Sequence, residues 1–115
     1  MCGIAGFLNT VPTRDVLEET TISLSTRGTD ATGFAYLTPD GTWHIRKQAA
    51  PAWIFIREYD ILNEIIRARP LATLIHCRLG THGSARDVKN AHPIYNDRGF
   101  LIHNGVVCVP QKYSA

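Results

Sequence analysis

Cys2-Gly3-Ile4-Ala5-Gly6-Phe7-Leu8 opens the chain directly after the initiator Met1. Gly3 to Leu8 is a short apolar run with two glycines, which predicts a buried strand starting at the chain terminus. That strand leaves Cys2 at its outer end. A thiol is the best ordinary side-chain nucleophile, and removal of Met1 by a methionine aminopeptidase is expected before so small a residue. Cys2 would then also carry a free α-amino group with a reference pKa of about 7.7–8.0. One residue would supply both nucleophile and base. The plain alternative is a buried structural cysteine, and the opening residues alone do not exclude it.

Working outward, Asn9 to Thr13 carries turn residues, and Thr13 is a candidate N-cap for a helix through Val16, Leu17 and Leu24. Thr20, Thr21 and Thr26 weaken that helix signal. Arg27-Gly28-Thr29-Asp30-Ala31-Thr32-Gly33 reads as a glycine-bounded loop. Phe34 to Leu37 then reads as a strand, Thr38-Pro39-Asp40-Gly41 as a turn, and Thr42 to Lys47 as the returning strand of a hairpin. Pro51 suits the first turn of a helix. Phe55, Tyr59, Leu62 and Ile66 recur at helical spacing, which predicts a single helix stopped by Pro70, with isoleucines at 54, 56, 61 and 65 widening its apolar face. Leu71 to His76 is the next strand, and a polar loop is expected from there to about Arg98. Phe100 to His103 and Val106 to Val109 read as further strands. Strand pairs with helices between them predict an α+β layer structure.

The whole chain sets limits on this picture. Its 115 residues favour one domain or part of one. With 44% hydrophobic and 19% charged residues, it is a globular and not a disordered composition. The 12 basic residues are scattered and the net charge is only +2, so no nucleic-acid face is expected. No apolar stretch approaches the roughly 20 residues of a membrane span, and the start lacks the pattern of a secretory signal. Cys2, Cys77 and Cys108 make an odd count without framework spacing, which fits a reducing, cytoplasmic setting. No cofactor is indicated. A zinc site is not expected either, because no Cys-x-x-Cys or spaced His pair with a second half is present. His76 and Cys77, if they share a strand, point to opposite faces.

Several segments, in order, resemble the class II glutamine amidotransferase domain of the N-terminal nucleophile hydrolases. These are Cys2-Gly3-Ile4-Ala5-Gly6, then Arg27-Gly28-x-Asp30-x-x-Gly33, and His76-x-Arg78-x-x-Thr81-His82-Gly83. Asn90-Ala91-His92-Pro93 and His103-Asn104-Gly105 follow. The resemblance implies a four-layer αββα sandwich in which Cys2 attacks the glutamine side-chain amide, releasing glutamate and ammonia. It also implies that the Asn104 side chain and the Gly105 N–H form the oxyanion hole, where losing one donor typically costs on the order of 10²–10³ in rate. Arg78 would bind the substrate α-carboxylate through its planar guanidinium, helped by Thr81 and His82. Arg27, Gly28 and Asp30 would belong to the loop that supports Cys2.

Local rivals stand beside these roles. Asn104-Gly105 also reads as a two-residue hairpin turn, and Arg78 as a surface ion pair. Thr29 and Leu79-Gly80 replace the proline and the aromatic-Ala pair often found in the family. A family domain continues past the Asn-Gly segment, so residues 1–115 correspond to its N-terminal part and the sandwich is expected to be incomplete in this chain. The remainder would come from a longer protein or a partner chain, and the ammonia would pass to a synthetase domain. Two other readings are a non-catalytic module that binds a partner through its exposed sheet, and an N-terminal nucleophile hydrolase of another amide.

Overall fold

The computed structural model describes residues 2–80, 91–97 and 99–102. Their elements are β1 (Gly3–Leu8), α1 (Arg14–Ser25), β2 (Ala31–Leu37), β3 (Trp43–Gln48), α2 (Ala52–Glu58), α3 (Ile61–Ala68), β4 (Ala72–Arg78), β5 (Ile94–Asn96) and β6 (Gly99–Leu101). β1 to β4 form one antiparallel sheet in the order β1-β4-β2-β3, and β5 and β6 form a two-stranded antiparallel pair. The architecture is α+β, as the sequence predicts.

The hairpin β2–β3 forms at the expected turn, where Gly41 takes φ +86, a conformation that suits a residue without Cβ. Thr13 caps α1 by accepting the Val16 N–H at 3.2 Å. Of the threonines that weaken the helix signal, Thr20 and Thr21 lie within α1 and Thr26 is its C-cap. Thr21 Oγ1 donates back to the Leu17 carbonyl at 2.7 Å, and Ser25 and Thr26 bond to Ile22 and Ser23 in the same way.

One helix expected after Pro51 is in fact two. Tyr59 is extended (φ −121, ψ 135), and Asp60 starts α3 with its carboxylate taking Asn63 Nδ2 at 2.8 Å and Arg67 Nη2 at 3.2 Å. The break lets both halves turn apolar residues inward, Phe55 from α2 and Ile61, Leu62 and Ile65 from α3. A straight helix would have carried its broad apolar face partly into water. The predicted loop ends earlier than expected, since Ala31–Gly33 are already β2, and β4 runs on to Arg78. The polar stretch before Arg98 contains β5, and the strand placed at Phe100–His103 is β6 at Gly99–Leu101. Val106–Val109 lies outside the described residues.

Alternation divides the sheet into two faces. Phe34 and Tyr36 of β2 and Ile75 of β4 join Leu17, Phe55, Ile61, Leu62 and Ile65 in one cluster, with Ala5, Phe7 and Leu24 packed on it. Each Leu, Ile or Phe removed from water here is worth about 1.5–3 kcal/mol, so this face carries the stability. At its edge Tyr36 donates to Glu64 Oε2 at 2.6 Å, and the other Glu64 oxygen lies 3.4 Å from Arg46 Nε. Burial, then the Glu64 carboxylate, push the Tyr36 phenol up to about 12.

The opposite face is met by the segment 91–93. A Cβ on Gly33 would overlap the His92 carbonyl and Pro93, so only glycine lets the two backbones approach this closely. The rings of His76 and His92 stack with centroids 4.2 Å apart, and Lys47 Nζ donates to the Ala91 and Pro93 carbonyls at 2.9 and 3.3 Å. Ile4 and Leu8 on the same face remain 45% and 70% exposed.

Candidate active site

The β1–β4 register ends with Gly3 opposite Cys77. One step further along the same register Cys2 lies beside Arg78, the last residue of β4. Here the Leu79 N–H donates to Cys2 Sγ at 3.4 Å, and the thiol in turn lies 3.7 Å from the Leu79 carbonyl oxygen. Arg27, just past the C-terminal end of α1, donates through Nε to the Cys2 carbonyl at 3.2 Å. Cys2 is thus held at its sulfur and at its own backbone. A cleft of about 310 Å³ lined by Cys2, Gly3, Ile4, Leu24 and Arg27 opens beside it.

The loop read as support is a clamp on the end of β4. Gly28 lies so close that a Cβ there would overlap the backbone of Cys77 and Arg78. Asp30 bonds twice, its N–H to the Arg78 carbonyl at 2.9 Å and its Oδ2 accepting the Gly80 N–H at 2.5 Å. Arg78 is only 6% exposed, a buried guanidinium on the His76 side of the sheet, which argues against a surface ion pair.

The two described cysteines differ in kind. Cys2 is partly accessible, whereas Cys77 is fully buried on the helix side, with Sγ 3.8 Å from the Thr21 carbonyl oxygen. Burial pushes the Cys77 thiol up to about 11, which makes it a poor nucleophile near neutrality. The structure therefore brings together Cys2, Arg27, Gly28, Asp30 and Arg78. Thr81, His82, Asn104 and Gly105 lie outside the described residues, as do His103 and Cys108. Sequence reasoning missed the Leu79 N–H, for which no side-chain pattern exists. Among the described residues no three His, Cys, Asp or Glu side chains are grouped to hold a metal ion, and no helix is long and apolar enough to cross a membrane. A second cavity of about 310 Å³, with Arg46, Phe55, Tyr59 and Glu64 in its wall, lies beside β3, away from Cys2.

The ordered segments and the α+β sheet with Cys2 at its margin match the pattern of a class II glutamine amidotransferase domain, and the chain's relatives carry such a domain at their N-terminus. Its relatives are named glutamine–fructose-6-phosphate aminotransferase (isomerizing). It is 34% identical over 113 residues to that of Leifsonia xyli, 32% over 110 residues to that of Gluconobacter oxydans, and 33% over 111 residues to one from Thermus thermophilus. These matches take in 92–93% of this chain and 17% of the length of each relative, so the chain spans about a sixth of the proteins it matches. No protein-family model matches the chain.

Proposed function

We propose that this chain is the N-terminal part of a type-2 amidotransferase domain and supplies the glutaminase half-reaction, with Cys2 as nucleophile once Met1 is removed. Cys2 Sγ passes its proton to the α-amino group and bonds to the amide carbon of glutamine. Negative charge collects on the carbonyl oxygen, where Asn104 and Gly105 donate. Collapse breaks the C–N bond, and the ammonium returns its proton to the departing ammonia. Water then adds to the thioester carbon, gives a proton to the amine, and displaces the sulfur to leave glutamate. Arg78 holds the substrate α-carboxylate, with Thr81 and His82 beside it.

The observation that carries this reading is the Cys2 sulfur lying on the Leu79 N–H, one residue past the buried Arg78. The exposed Ile4 and Leu8 support a further layer over that face and, with it, the four-layer αββα sandwich. The relatives' names give fructose 6-phosphate as their acceptor; the proposal for this chain stops at the ammonia, which a synthetase domain would use.

The test is to incubate the Met1-processed protein with glutamine and with an electrophilic glutamine analogue. Covalent labelling at Cys2 and steady glutamate release are expected. No labelling, with glutamate release no faster than from Cys2→Ala, would sink the proposal.

A further inference from the structure

We infer that Asp30 is a positioning residue that aims the Leu79 N–H at the Cys2 sulfur, so that a backbone donor stabilises the thiolate. The inference rests on the reading of Cys2 as nucleophile and deepens it.

The geometry turns on the single peptide unit between Arg78 and Leu79. Its carbonyl accepts the Asp30 N–H at 2.9 Å, and its N–H lies 3.4 Å from Cys2 Sγ. In a trans peptide these two groups point in opposite directions, so holding the carbonyl directs the N–H. The next N–H along the chain, that of Gly80, is taken by the Asp30 carboxylate. Asp30 therefore fixes the strand end on both sides of Leu79, and Gly28 lets the loop come close enough to do so. A hydrogen bond donated to an ionised acceptor is stronger than one between neutral groups, so the bond from the Leu79 N–H strengthens as charge gathers on sulfur. The Leu79 carbonyl oxygen, 3.7 Å away, can accept only from the thiol. No side chain has to enter the cleft for this. Arg27 acts on the same residue from the other end, through the Cys2 carbonyl. Among the described residues, the charged or titratable side chains near Cys2 include Arg27 on its carbonyl, Asp30 on the Gly80 N–H, Cys77 and Arg78 at the end of β4; loss of Met1 would add the α-amino group of Cys2.

Thiol reactivity tests this without glutamine. Iodoacetamide, a small neutral electrophile, is reacted with the full chain lacking Met1, and alkylation of Cys2 is followed by peptide mass spectrometry from pH 5 to 10. Asp30→Ala keeps the backbone bond to the Arg78 carbonyl and deletes only the carboxylate that fixes Gly80; it should move the rate–pH curve to higher pH and slow alkylation at neutral pH about five- to tenfold. Leu79→Pro, which deletes the N–H and leaves Asp30 intact, should reproduce the shift. Asp30→Asn, whose amide oxygen still accepts from Gly80, should keep most of the wild-type rate. A curve for either Asp30→Ala or Leu79→Pro that superimposes on wild type would overturn the inference, and Asp30→Ser takes the place of Asp30→Ala if that variant does not fold. Curves that shift in a protein releasing no glutamate uphold the donor and overturn the glutaminase reading instead.

Discussion

The two faces of the sheet are built from the same strands and do opposite work. Toward the helices β2 and β4 present Phe34, Tyr36 and Ile75, all buried and closed over by α1, α2 and α3. Away from the helices the same strands present Gly33, His76 and Arg78, and the margin of that side carries Cys2. Apolar contacts are insensitive to direction, so the first face tolerates small shifts. The second depends on backbone approach at Gly28 and Gly33 and on individual hydrogen bonds, so a displacement of a fraction of an ångström matters there. On the proposed function, stability and chemistry are divided across one sheet, and substitutions should sort accordingly.

The sharpest way to break that division is Cys2→Ala. It should lower glutamine hydrolysis on the order of 10³-fold or more while leaving the melting temperature unchanged, as read by glutamate release and calorimetry on one sample. Phe34→Ala should do the reverse, costing about 3–5 kcal/mol in denaturant unfolding with its activity loss tracking the unfolded fraction. Arg78→Ala should lower kcat/KM for glutamine by about 10- to 100-fold, mostly through KM, because the proposed grip on the α-carboxylate would be lost. An amide substrate without an α-carboxylate that is hydrolysed equally well by both proteins would reassign Arg78 and favour a different hydrolase.

The smallest effect belongs to alkaline pH. Tyr36 and Cys77 both have folded pKa values raised above their ordinary values of 10.0 and 9.0, to about 12 and about 11, burial being the main cause of each. A raised value means that the folded state holds the proton more tightly. This share of the stability is complete below about pH 9 and is lost as pH climbs toward 11–12. Tyr36→Phe should cost about 1 kcal/mol at pH 7 by stranding Glu64 and should flatten the stability curve above pH 10. Equal alkaline slopes in the two proteins would show that Tyr36 has no part in that loss.

Much of this is legible in the residues. The turn Thr38-Pro39-Asp40-Gly41 announces its hairpin, and Thr13 announces its helix, because both signals are local. The motif order points to Cys2, Arg27, Asp30 and Arg78 without any geometry. The pairing of β1 with β4 is not local, and no pattern within either strand names its partner. The break at Tyr59-Asp60 escapes the pattern for a related reason. Apolar residues continue at helical spacing across it, and only the need to cover the sheet turns the second half. At the site, the Leu79 N–H and the Arg78 carbonyl leave no trace in a side-chain pattern, since every residue but proline has that N–H.

The long reach from β1 to β4 also bears on how the chain is made. β4 leaves the ribosome long after β1, several seconds later at about 5–20 residues per second. Through that interval the first strand lacks its β4 partner, and on the proposed reading its end is open to the enzyme that would trim Met1. Once the ladder closes, Arg27 and Leu79 fasten the terminus down. On the proposed reading topology thus sets a clock for maturation: trimming would belong to synthesis, with Cys2 finished as a nucleophile before its site is shut.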